Sequence, residues 1–490
     1  MNRTTLSLIA GVTALAAVTG FAALSAPDAS GGDATGAAAR LPVERTSLVC
    51  PAPSTSDLAE TAYTSFTPVT KGAAGSGGKA ELRAAPDKPG KGAEVPEVAP
   101  KAPGTPVTGA GSGADVPALV GTAEGRFAPG WTVQQTTEVA AGTGRGLQGI
   151  ACAEADTDFW FPGASTASDR TDYVHLTNPD DSAAVVDVEL YGKDGALKST
   201  VGEGITVQPH TSEPILLSTL GDTGQNDLTV HVNVRSGRVG AAVQALDDRL
   251  GGDWLAPSAS PAGTLVLPGI PKDAAAVRLV LFTPGDTDAD LKLRLASRSG
   301  MITPAGHETV HVKAGATTTV ELGNVTRGEA GSLVLTPTGR SVPVVAAARV
   351  VRGKDGKQET AFIPAGGPVG ERATSADNRA EGTTLSLSAP EGGAKVRITA
   401  SAGSEGGTAV SKTVTVKGGT TQDVEAPVPG GLKGTYALTV ESLSGGPVYA
   451  ARLLTATEGD TTGFTIQTLR DDRGMVAVPV TEEDLTVLQK

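Results

Sequence analysis

Short stretches in which apolar and polar residues alternate run along most of the chain and predict β-strands. Residues 239–246 and 309–320 alternate in this way or carry β-branched side chains, as strands of a half-buried sheet do. Turn sequences such as KDG at 193–195 and PGD at 284–286 separate such stretches. The pattern predicts an all-β protein.

The strand pattern repeats three times between residues 158 and 470. Four landmarks recur in one order: an apolar strand ending in proline, an apolar strand with a polar turn and an alternating strand, a Thr/Val-rich segment, and a strand of small residues. Equivalent residues lie 105 and 106, or 105 and 103, positions apart: Pro179, Pro284 and Pro390, and Gln244, Arg349 and Arg452. Such units of about 100 residues predict tandem immunoglobulin-like β-sandwiches. A β-propeller with two blades per unit is the alternative.

A fourth, degenerate copy is expected at residues 44–157. Leu48-Val49-Cys50-Pro51 matches the proline-ended strand, and residues 144–156 resemble the small-residue strand. Between them, residues 71–116 contain 10 Gly and 6 Pro, and residues 67–126 contain no aromatic side chain. Such a segment buries little apolar surface to offset its ordering entropy. We therefore expect a disordered insert at 71–116.

The repeats set the expected domain limits. They are a linker at 28–43, the degenerate unit at 44–157, and β-sandwiches at 158–258, 259–358 and 359–490, the last with extra C-terminal strands. Because five proline-ended strands bound four units, we also expect this kind of strand to pair with the unit before it, across turns such as residues 354–356. The limits would then move by one strand.

The N-terminus predicts export. Arg3 is the only charged residue before Asp28, so residues 4–27 are uncharged. The apolar run is longer than the roughly 7–15 residues of a signal-peptide core, and it is less hydrophobic than a typical span of about 20 residues. Residues 1–27 are thus a signal anchor or a signal peptide. In both cases the rest of the chain lies outside the cytoplasm, attached to the membrane or secreted.

Cys50 and Cys152 are the two cysteines of the chain. An even count in an oxidising compartment suggests a disulfide, and two unrelated buried thiols are the alternative. Two thiols without a neighbouring histidine fall short of the four ligands of a structural zinc site. We expect no metal at these residues.

Composition narrows the class of protein. The 490 residues carry a net charge of −13, which disfavours a nucleic-acid partner. Hydrophobic residues make up 39%, too many for a chain that is disordered throughout. Aromatic residues make up only 3%, so the sandwich cores must use small aliphatic side chains.

The segment His307-Glu308-Thr309-Val310-His311 matches the HExxH pattern in form. That motif binds zinc when a helix brings both histidines to one face. Here the segment lies in a predicted strand, where a rise of roughly 3.3 Å per residue separates the two histidines by about 13 Å. We expect no zinc site.

Asp286, Asp288 and Asp290 resemble the start of an EF-hand loop. Leu291 stands where that loop needs glycine, and Ser297 stands where it needs glutamate. A solvated turn is the expected structure, and weak calcium binding between domains is the alternative.

Catalytic machinery is hard to assemble from this sequence. The sequence has five histidines but no GxSxG motif that could form a nucleophile elbow. We therefore expect no catalytic residue and no cofactor. Trp131 and Trp254 are candidates either for stacking on a sugar or for wedging two domains together.

Several segments resemble a family of uncharacterised exported proteins of high-GC Gram-positive bacteria. They are the N-terminal run, TSLVCPAPST, DFWFPGAS and the strands of the PVVAAARVV type. The resemblance implies a place at the cell envelope and pairing of Cys50 with Cys152. It transfers no catalytic residue, since the family's function is unknown.

Together these observations predict a non-enzymatic, extracytoplasmic array of β-sandwiches that is anchored by its N-terminal segment. Such an array would act as a structural or interaction scaffold whose partner is a protein or glycan of the cell envelope. A module that binds cell wall or carbohydrate is the first alternative, and a hydrolase is the second.

Overall fold

The computed structural model describes residues 39–478, except 74, 76, 88–94, 200, 222, 223, 355, 459 and 460. The signal segment predicted at 1–27 lies outside the described residues. Within them, no helix is long and apolar enough to span a membrane. The chain divides into a unit of residues 42–476 and a second unit of both chain ends, residues 1–41 and 477–490.

The fold is all-β, as predicted, and its strands form facing pairs of sheets. The described strands close into neither a barrel nor a propeller, so the propeller alternative is wrong. The first strand, β1 (Ala39–Pro42), lies inside the linker expected at 28–43. That linker therefore ends in regular structure.

Sandwich 1, as we name residues 45–151, combines sheets of three and four strands. Its strands are β2 (Arg45–Cys50), β3 (Ala59–Phe66), β4 (Ala80–Ala85), β5 (Val107–Ser112), β6 (Ala118–Glu124), β7 (Thr132–Val139) and β8 (Gly146–Ala151), with a 3₁₀ turn at Gly125–Phe127. The sheet orders are β2-β6-β4 and β5-β3-β7-β8. Between the sheets lies a core that includes Tyr63, Leu119 and Trp131.

The expectation of a disordered insert at 71–116 is wrong for two segments, which form strands β4 and β5. Strand β4 pairs with β6, and β5 pairs with β3. Ala80, Ala85 and Val98 are buried although the segment has no aromatic residue. Small side chains suffice here because the rest of the core, with Trp131, already fills the space between the sheets.

Sandwich 2, residues 158–255, contains β9 (Asp158–Ala164), β10 (Arg170–Thr177), β11 (Ala184–Gly192), β12 (Gly195–Ala196), β13 (Ile205–Val207), β14 (Ser212–Leu216), β15 (Leu228–Ser236), β16 (Gly240–Asp247) and β17 (Gly251–Leu255), with a 3₁₀ turn at Leu217–Thr219. The sheet orders are β12-β11-β15-β9, with β13 also on β11, and β14-β10-β16-β17.

Sandwich 3, residues 265–364, contains β18 (Leu265–Ile270), β19 (Ala276–Phe282), β20 (Ala289–Ser297), β21 (Met301–Ile302), β22 (Thr309–Val312), β23 (Thr317–Gly323), β24 (Gly331–Pro337), β25 (Val345–Arg352) and β26 (Glu359–Pro364). The sheet orders are β18-β24-β20-β21, with β22 also on β20, and β23-β19-β25-β26. Strand β20 shows the alternation on which the prediction rested, since Leu291 and Leu293 are buried and Lys292 between them is exposed.

Sandwich 4, residues 372–469, contains β27 (Arg372–Asn378), β28 (Thr383–Ala389), β29 (Ala394–Ala400), β30 (Gly406–Thr408), β31 (Val410–Val416), β32 (Thr420–Glu425), β33 (Gly430–Lys433), β34 (Tyr436–Gly445), β35 (Tyr449–Glu458) and β36 (Thr461–Leu469). The main sheet orders are β27-β34-β29-β31 and β32-β28-β35-β36, while β30 pairs with β33. The last strand, β37 (Met475–Val478), pairs with β1.

As expected for a proline-ended strand, β26 pairs with the unit before it, so the domain limit expected between residues 358 and 359 moves by one strand. Strand β26 pairs antiparallel with β25, from Arg352 opposite Glu359 to Ala347 opposite Pro364. It is therefore the last strand of sandwich 3. The proline-ended segments look alike in sequence, yet β9 and β18 open their sandwiches whereas β26 closes one.

The small-residue strands are buried on both faces. In β16 every residue from Gly240 to Asp247 is buried. Val243 lies in the core of sandwich 2, whereas the neighbouring Ala242 packs against Ile150 of sandwich 1. Alanine and valine recur in these strands because each strand has its own core on one side and a neighbouring sandwich on the other.

Candidate functional site

The four sandwiches meet through their last strands. Strands β8, β17, β26 and β36 are each an edge strand of a four-stranded sheet. Strand β8 contacts β17, β17 contacts β26, β26 contacts β36, and β36 contacts β8 again. We call the place where these four strands meet the central junction.

Glycines allow β8 and β36 to come close at the central junction. A Cβ atom on Gly149 would lie 2.6 Å from Nε2 of Gln467, and one on Gly463 would lie 2.9 Å from the backbone nitrogen of Leu147. Real Cβ atoms do not tolerate such distances without a shift of their neighbours. Glycine is required here for close approach rather than for a turn.

Asp253 links three sandwiches inside this junction. Its carboxyl is fully buried and accepts hydrogen bonds from the backbone N–H of Gly149 at 3.0 Å and from Oγ1 of Thr465 at 3.0 Å. Gln467 donates from Nε2 to the carbonyl oxygen of Gly149 at 3.1 Å. Burial raises the pKa of Asp253 well above its usual value. The carboxyl acts as a shared acceptor between sandwiches 1, 2 and 4.

The guanidinium of Arg145 joins sandwiches 1, 2 and 3 beside a second buried carboxyl, that of Glu359. Nη2 of Arg145 lies 3.4 Å from Oε1 of Glu359, and it donates to the carbonyl oxygens of Arg249 at 2.9 Å and Gln358 at 3.2 Å. Burial raises the pKa of Glu359 to about 7, and Arg145 opposes that rise. This group titrates near neutral pH in the folded chain.

The joint between sandwiches 2 and 3 contains two buried ion pairs. Arg170 donates to both oxygens of Asp172, at 2.9 and 2.7 Å, and Nη2 of Arg349 lies 2.6 Å from Oδ2 of Asp247. Burial, and next the neighbouring Arg170, lower the pKa of Arg349. A buried pair contributes little net stability when intact, but loss of one partner leaves a costly unpaired charge. The pair of Arg349 with Asp247 joins the two sandwiches and therefore favours one relative position of them, whereas Arg170 and Asp172 both belong to β10.

The three polar residues that recur in the small-residue strands do not play one role. Gln244 donates from Nε2 to Oε1 of Gln148 in sandwich 1, at 3.0 Å, and Arg349 reaches Asp247 in sandwich 2. Arg452 instead donates to the carbonyl oxygen of Asp377 in its own sandwich, at 3.1 Å. Burial lowers the pKa of Arg452 to about 10.

Trp131 and Trp254 present no surface for stacking on a sugar. Trp131 is 4% exposed, belongs to the core of sandwich 1 and donates from its indole N–H to Oγ of Ser65 at 2.9 Å. Trp254 is 2% exposed and packs against Ile150 of sandwich 1 and Ala242. Trp254 therefore lies between two sandwiches, whereas Trp131 serves neither expected role.

Cys50 and Cys152 form a disulfide. Cys50 is the last residue of β2, and Cys152 directly follows β8. The bond links the first and last strands of sandwich 1 across a sequence separation of 102 residues. Both cysteines are buried.

A polar cluster that the sequence analysis did not single out lies on sandwich 2. The ring of His231 stacks on Trp160 at 3.8 Å between ring centres. Its Nδ1 lies 2.8 Å from Oε2 of Glu189, and its Nε2 lies 2.6 Å from Oδ1 of Asp158. Both ring nitrogens thus lie within hydrogen-bond distance of a carboxylate. Alternation along β9, β11 and β15 places these residues on one sheet face, a signal that only the strand pairing reveals.

The HExxH segment is partly a strand, because His311 lies in β22. Its Nδ1 is 2.9 Å from Oδ1 of Asp290, on the neighbouring strand β20, and its Nε2 is 3.4 Å from Oδ2 of Asp288. The hydrogen bond to Asp290 raises the pKa of His311. Asp288 and Asp290, two of the three acidic residues of the EF-hand-like segment, thus bind the ring of His311. Asp288 also accepts a hydrogen bond from the backbone N–H of Ala314. Within the described residues, no group of three or more His, Cys, Asp or Glu is placed to hold a metal ion.

Comparison with known protein families assigns the chain to a family. The model of DUF5719, a family of unknown function, matches residues 107–427, which is more than half of the chain. The chain belongs to this family. No curated protein matches it.

The DUF5719 match runs from β5 of sandwich 1 to just beyond β32 of sandwich 4. It therefore includes Asp253 and Glu359 of the contacts between sandwiches. Cys50 and Thr465 lie outside the matched residues. Membership in DUF5719 agrees with the resemblance to an uncharacterised family and assigns no activity.

Proposed function

We propose that this DUF5719 protein is a non-enzymatic scaffold outside the cytoplasm, held at the envelope of a high-GC Gram-positive bacterium by residues 1–27. Its four sandwiches present their outer faces to a protein or glycan of the envelope. Carbohydrate binding through Trp131 and Trp254 is not proposed, because both rings are buried.

The contacts between sandwiches carry this proposal. Carboxyl and guanidinium groups, which are often used in catalysis, here form contacts between sandwiches. Examples are Asp253, Glu359 and the pair of Arg349 with Asp247. Each of these groups is held by partners from a different sandwich. Such an arrangement favours a fixed spatial relation of the sandwiches over a reacting centre.

The disulfide supports a place outside the cytoplasm. Cysteine pairs persist in oxidising compartments and are rare in cytosolic proteins. The bond between Cys50 and Cys152 agrees with the export signal expected from the uncharged run at residues 4–27.

Protease treatment of intact cells tests the location. We expect added protease to degrade the full chain in intact cells, and a chain that lacks residues 1–27 to stay inside and survive until lysis. A cytoplasmic protein with a known half-life serves as the control for lysis. Survival of the full chain in intact cells, with degradation only after lysis, would contradict the proposal.

Cross-linking tests the scaffold role. Intact cells that express the full chain are treated with an amine-reactive cross-linker, and captured partners are identified by mass spectrometry. We expect envelope proteins or glycan fragments attached to lysines on the outer faces. Cross-links confined to the chain itself, or turnover of ester, peptide or glycan substrates by the purified chain, would contradict a non-enzymatic scaffold.

A further inference from the structure

The outer edge of sandwich 4 differs from the matching edges of sandwiches 2 and 3. In sandwich 2 the outer side of β11 carries two short strands, β12 and β13, of 2 and 3 residues. In sandwich 3 the outer side of β20 carries β21 and β22, of 2 and 4 residues. In sandwich 4 the same side of β29 carries β31, one continuous strand of 7 residues. The edge is thus long and unbroken only in the last of these three sandwiches.

Strand β31 is suited to accept a further strand. It pairs with β29 along its whole length, and no other described strand pairs with its outer side. An unpaired edge offers a row of backbone N–H and C=O groups to an incoming strand. The segment VSKTVTV contains neither proline nor glycine, and 5 of its 7 residues are Val or Thr, which favour strands.

The charge around β31 selects the occupant. Lys412 is an exposed residue of β31 and lies opposite Ile398 of β29, on one face of the sheet. Lys395 and Arg397 are exposed on the other face, in a chain whose net charge is −13. Glu441 offsets one of these charges by pairing with Arg397 at 3.3 Å. A second copy of β31 would bring no acidic residue to this edge, since Lys412 is the one charged residue of the strand. An acidic strand beside β31 would meet opposite charge at Lys412.

We propose that the outer edge of β31 binds an extended acidic peptide segment of a partner by addition of a strand. This inference rests on the scaffold role proposed above and names the chemistry of one partner. Backbone hydrogen bonds along β31 supply the pairing, and Lys412 selects for carboxylates on the face of the sheet that it shares with Ile398.

Peptide binding to the purified full chain tests the inference. The probe is a fluorescent peptide TEVEVEVEVT, and its counterpart has lysine in place of each glutamate. We expect the acidic peptide to raise the fluorescence anisotropy at 50 mM salt, and the basic peptide to bind at least about tenfold more weakly. Hydrogen exchange of the backbone amides of residues 410–416 should slow when the acidic peptide binds.

Variants separate this edge from a general attraction to basic surface. Lys412→Glu should weaken binding of the acidic peptide about tenfold or more. Lys313→Glu, at an exposed lysine that follows the short strand β22, should leave it within about twofold. Circular dichroism and the Tm of both variants should match those of the unmodified chain.

Three outcomes would overturn the inference. They are equal binding of both peptides, slowed exchange outside residues 410–416 alone, and protection of residues 410–416 that grows with protein concentration in the absence of peptide, which would identify a second copy as the occupant. Each outcome leaves the cross-linking test of the scaffold role unaffected, because the peptide assay uses only the purified chain.

Discussion

Single residues decide how the sandwiches of this protein are joined. The carboxyl of Glu359 lies against Gly146 and Gly251, where a Cβ atom would collide with its Oε2. Both glycines have positive φ angles, 106° and 73°. The two glycines therefore create the space in which a buried carboxyl faces Arg145. A side chain at either position would displace the carboxyl from its partner.

The buried carboxyl of Glu359 makes stability depend on pH. Because its pKa is about 7 in the folded chain and ordinarily 4.5, the folded state holds this proton more tightly than the unfolded state. The stability from this group is full below about pH 4.5 and is lost as the pH rises to about 7. Glu359→Gln removes this loss. We expect the variant to exceed the unmodified chain in free energy of unfolding at pH 8, by up to about 3 kcal/mol.

Urea unfolding of both chains at pH 4.5 and pH 8 measures this difference. The exposed Glu213→Gln provides the matched control, since it removes a carboxyl that lies in solvent. The control should keep the pH dependence of the unmodified chain. An equal change in stability between the two pH values for Glu359→Gln and for the unmodified chain would show that the carboxyl is not the cause.

Gly149 is the second residue on which the central junction depends. In Gly149→Ala the new methyl group would lie 2.6 Å from Nε2 of Gln467 and 2.7 Å from Cγ2 of Thr465, so these side chains must shift from the positions in which they bond Gly149 and Asp253. We expect a loss of about 1–3 kcal/mol, the usual cost of overpacking, measured by thermal unfolding. Gly339→Ala is the control, because a Cβ atom at Gly339 would meet no other atom within 4 Å. Equal Tm values for the two variants would contradict close packing of β8 on β36.

At the scale of strands, much of the fold could be predicted from the sequence. The all-β class follows from alternation such as that of β20 and from repeats about 105 residues apart. The count of five proline-ended strands for four units predicts the pairing of β26 with the preceding unit, but it does not show which of these strands close a unit. Ala361-Phe362-Ile363-Pro364 resembles the opening strand Leu265-Val266-Leu267-Pro268, and only the hydrogen-bond partner distinguishes a first from a last strand.

The contacts between sandwiches were beyond prediction for a related reason. Asp253 and Thr465 are 212 residues apart, and neither belongs to a recognisable motif. Their meeting depends on how whole sheets pack, which no local pattern encodes. Strand β4 was missed because burial of alanines such as Ala80 and Ala85 leaves no aromatic or β-branched signal in the sequence.

The disulfide acts on the strands of sandwich 1. It joins the end of β2 to the residue after β8 across a separation of 102 residues. In the chain-entropy model a loop of about 100 residues is worth about 4–5 kcal/mol. We expect the double variant Cys50→Ala, Cys152→Ala to lose about 2–5 kcal/mol of stability, measured by urea unfolding.

Reduction of the unmodified chain provides an independent control for that variant. The reduced chain and the double variant should unfold at similar urea concentrations, and the oxidised chain should unfold at a higher one. Identical midpoints for the oxidised and reduced chains would mean that the bond does not stabilise sandwich 1.

Within the 42–476 unit as a whole, each sandwich contacts the next one, and sandwich 4 also contacts sandwich 1. Sandwich 4 contacts sandwich 1 through Phe66, Ala376 and Ala437, and through the ion pair of Arg379 with Glu138. At the joint between sandwiches 3 and 4, Ala451, Phe464 and Ile466 enter the core of sandwich 3. A linear chain of sandwiches would leave the first and fourth apart.

An engineered disulfide distinguishes these two arrangements. Oγ1 of Thr108 lies 2.9 Å from Oγ1 of Thr435, although 327 residues separate them in sequence. Cysteines at two positions this close can form a bond without large movement of the backbone. We expect the variant Thr108→Cys, Thr435→Cys to oxidise spontaneously and to migrate faster than the reduced protein on a denaturing gel. The variant Thr108→Cys, Thr303→Cys, with its second cysteine in an exposed loop of sandwich 3, should stay reduced at both new positions. If the cysteines at 108 and 435 also stayed reduced, sandwich 4 would not contact sandwich 1 at this place. The cyclic order of contacts between the sandwiches would then be wrong.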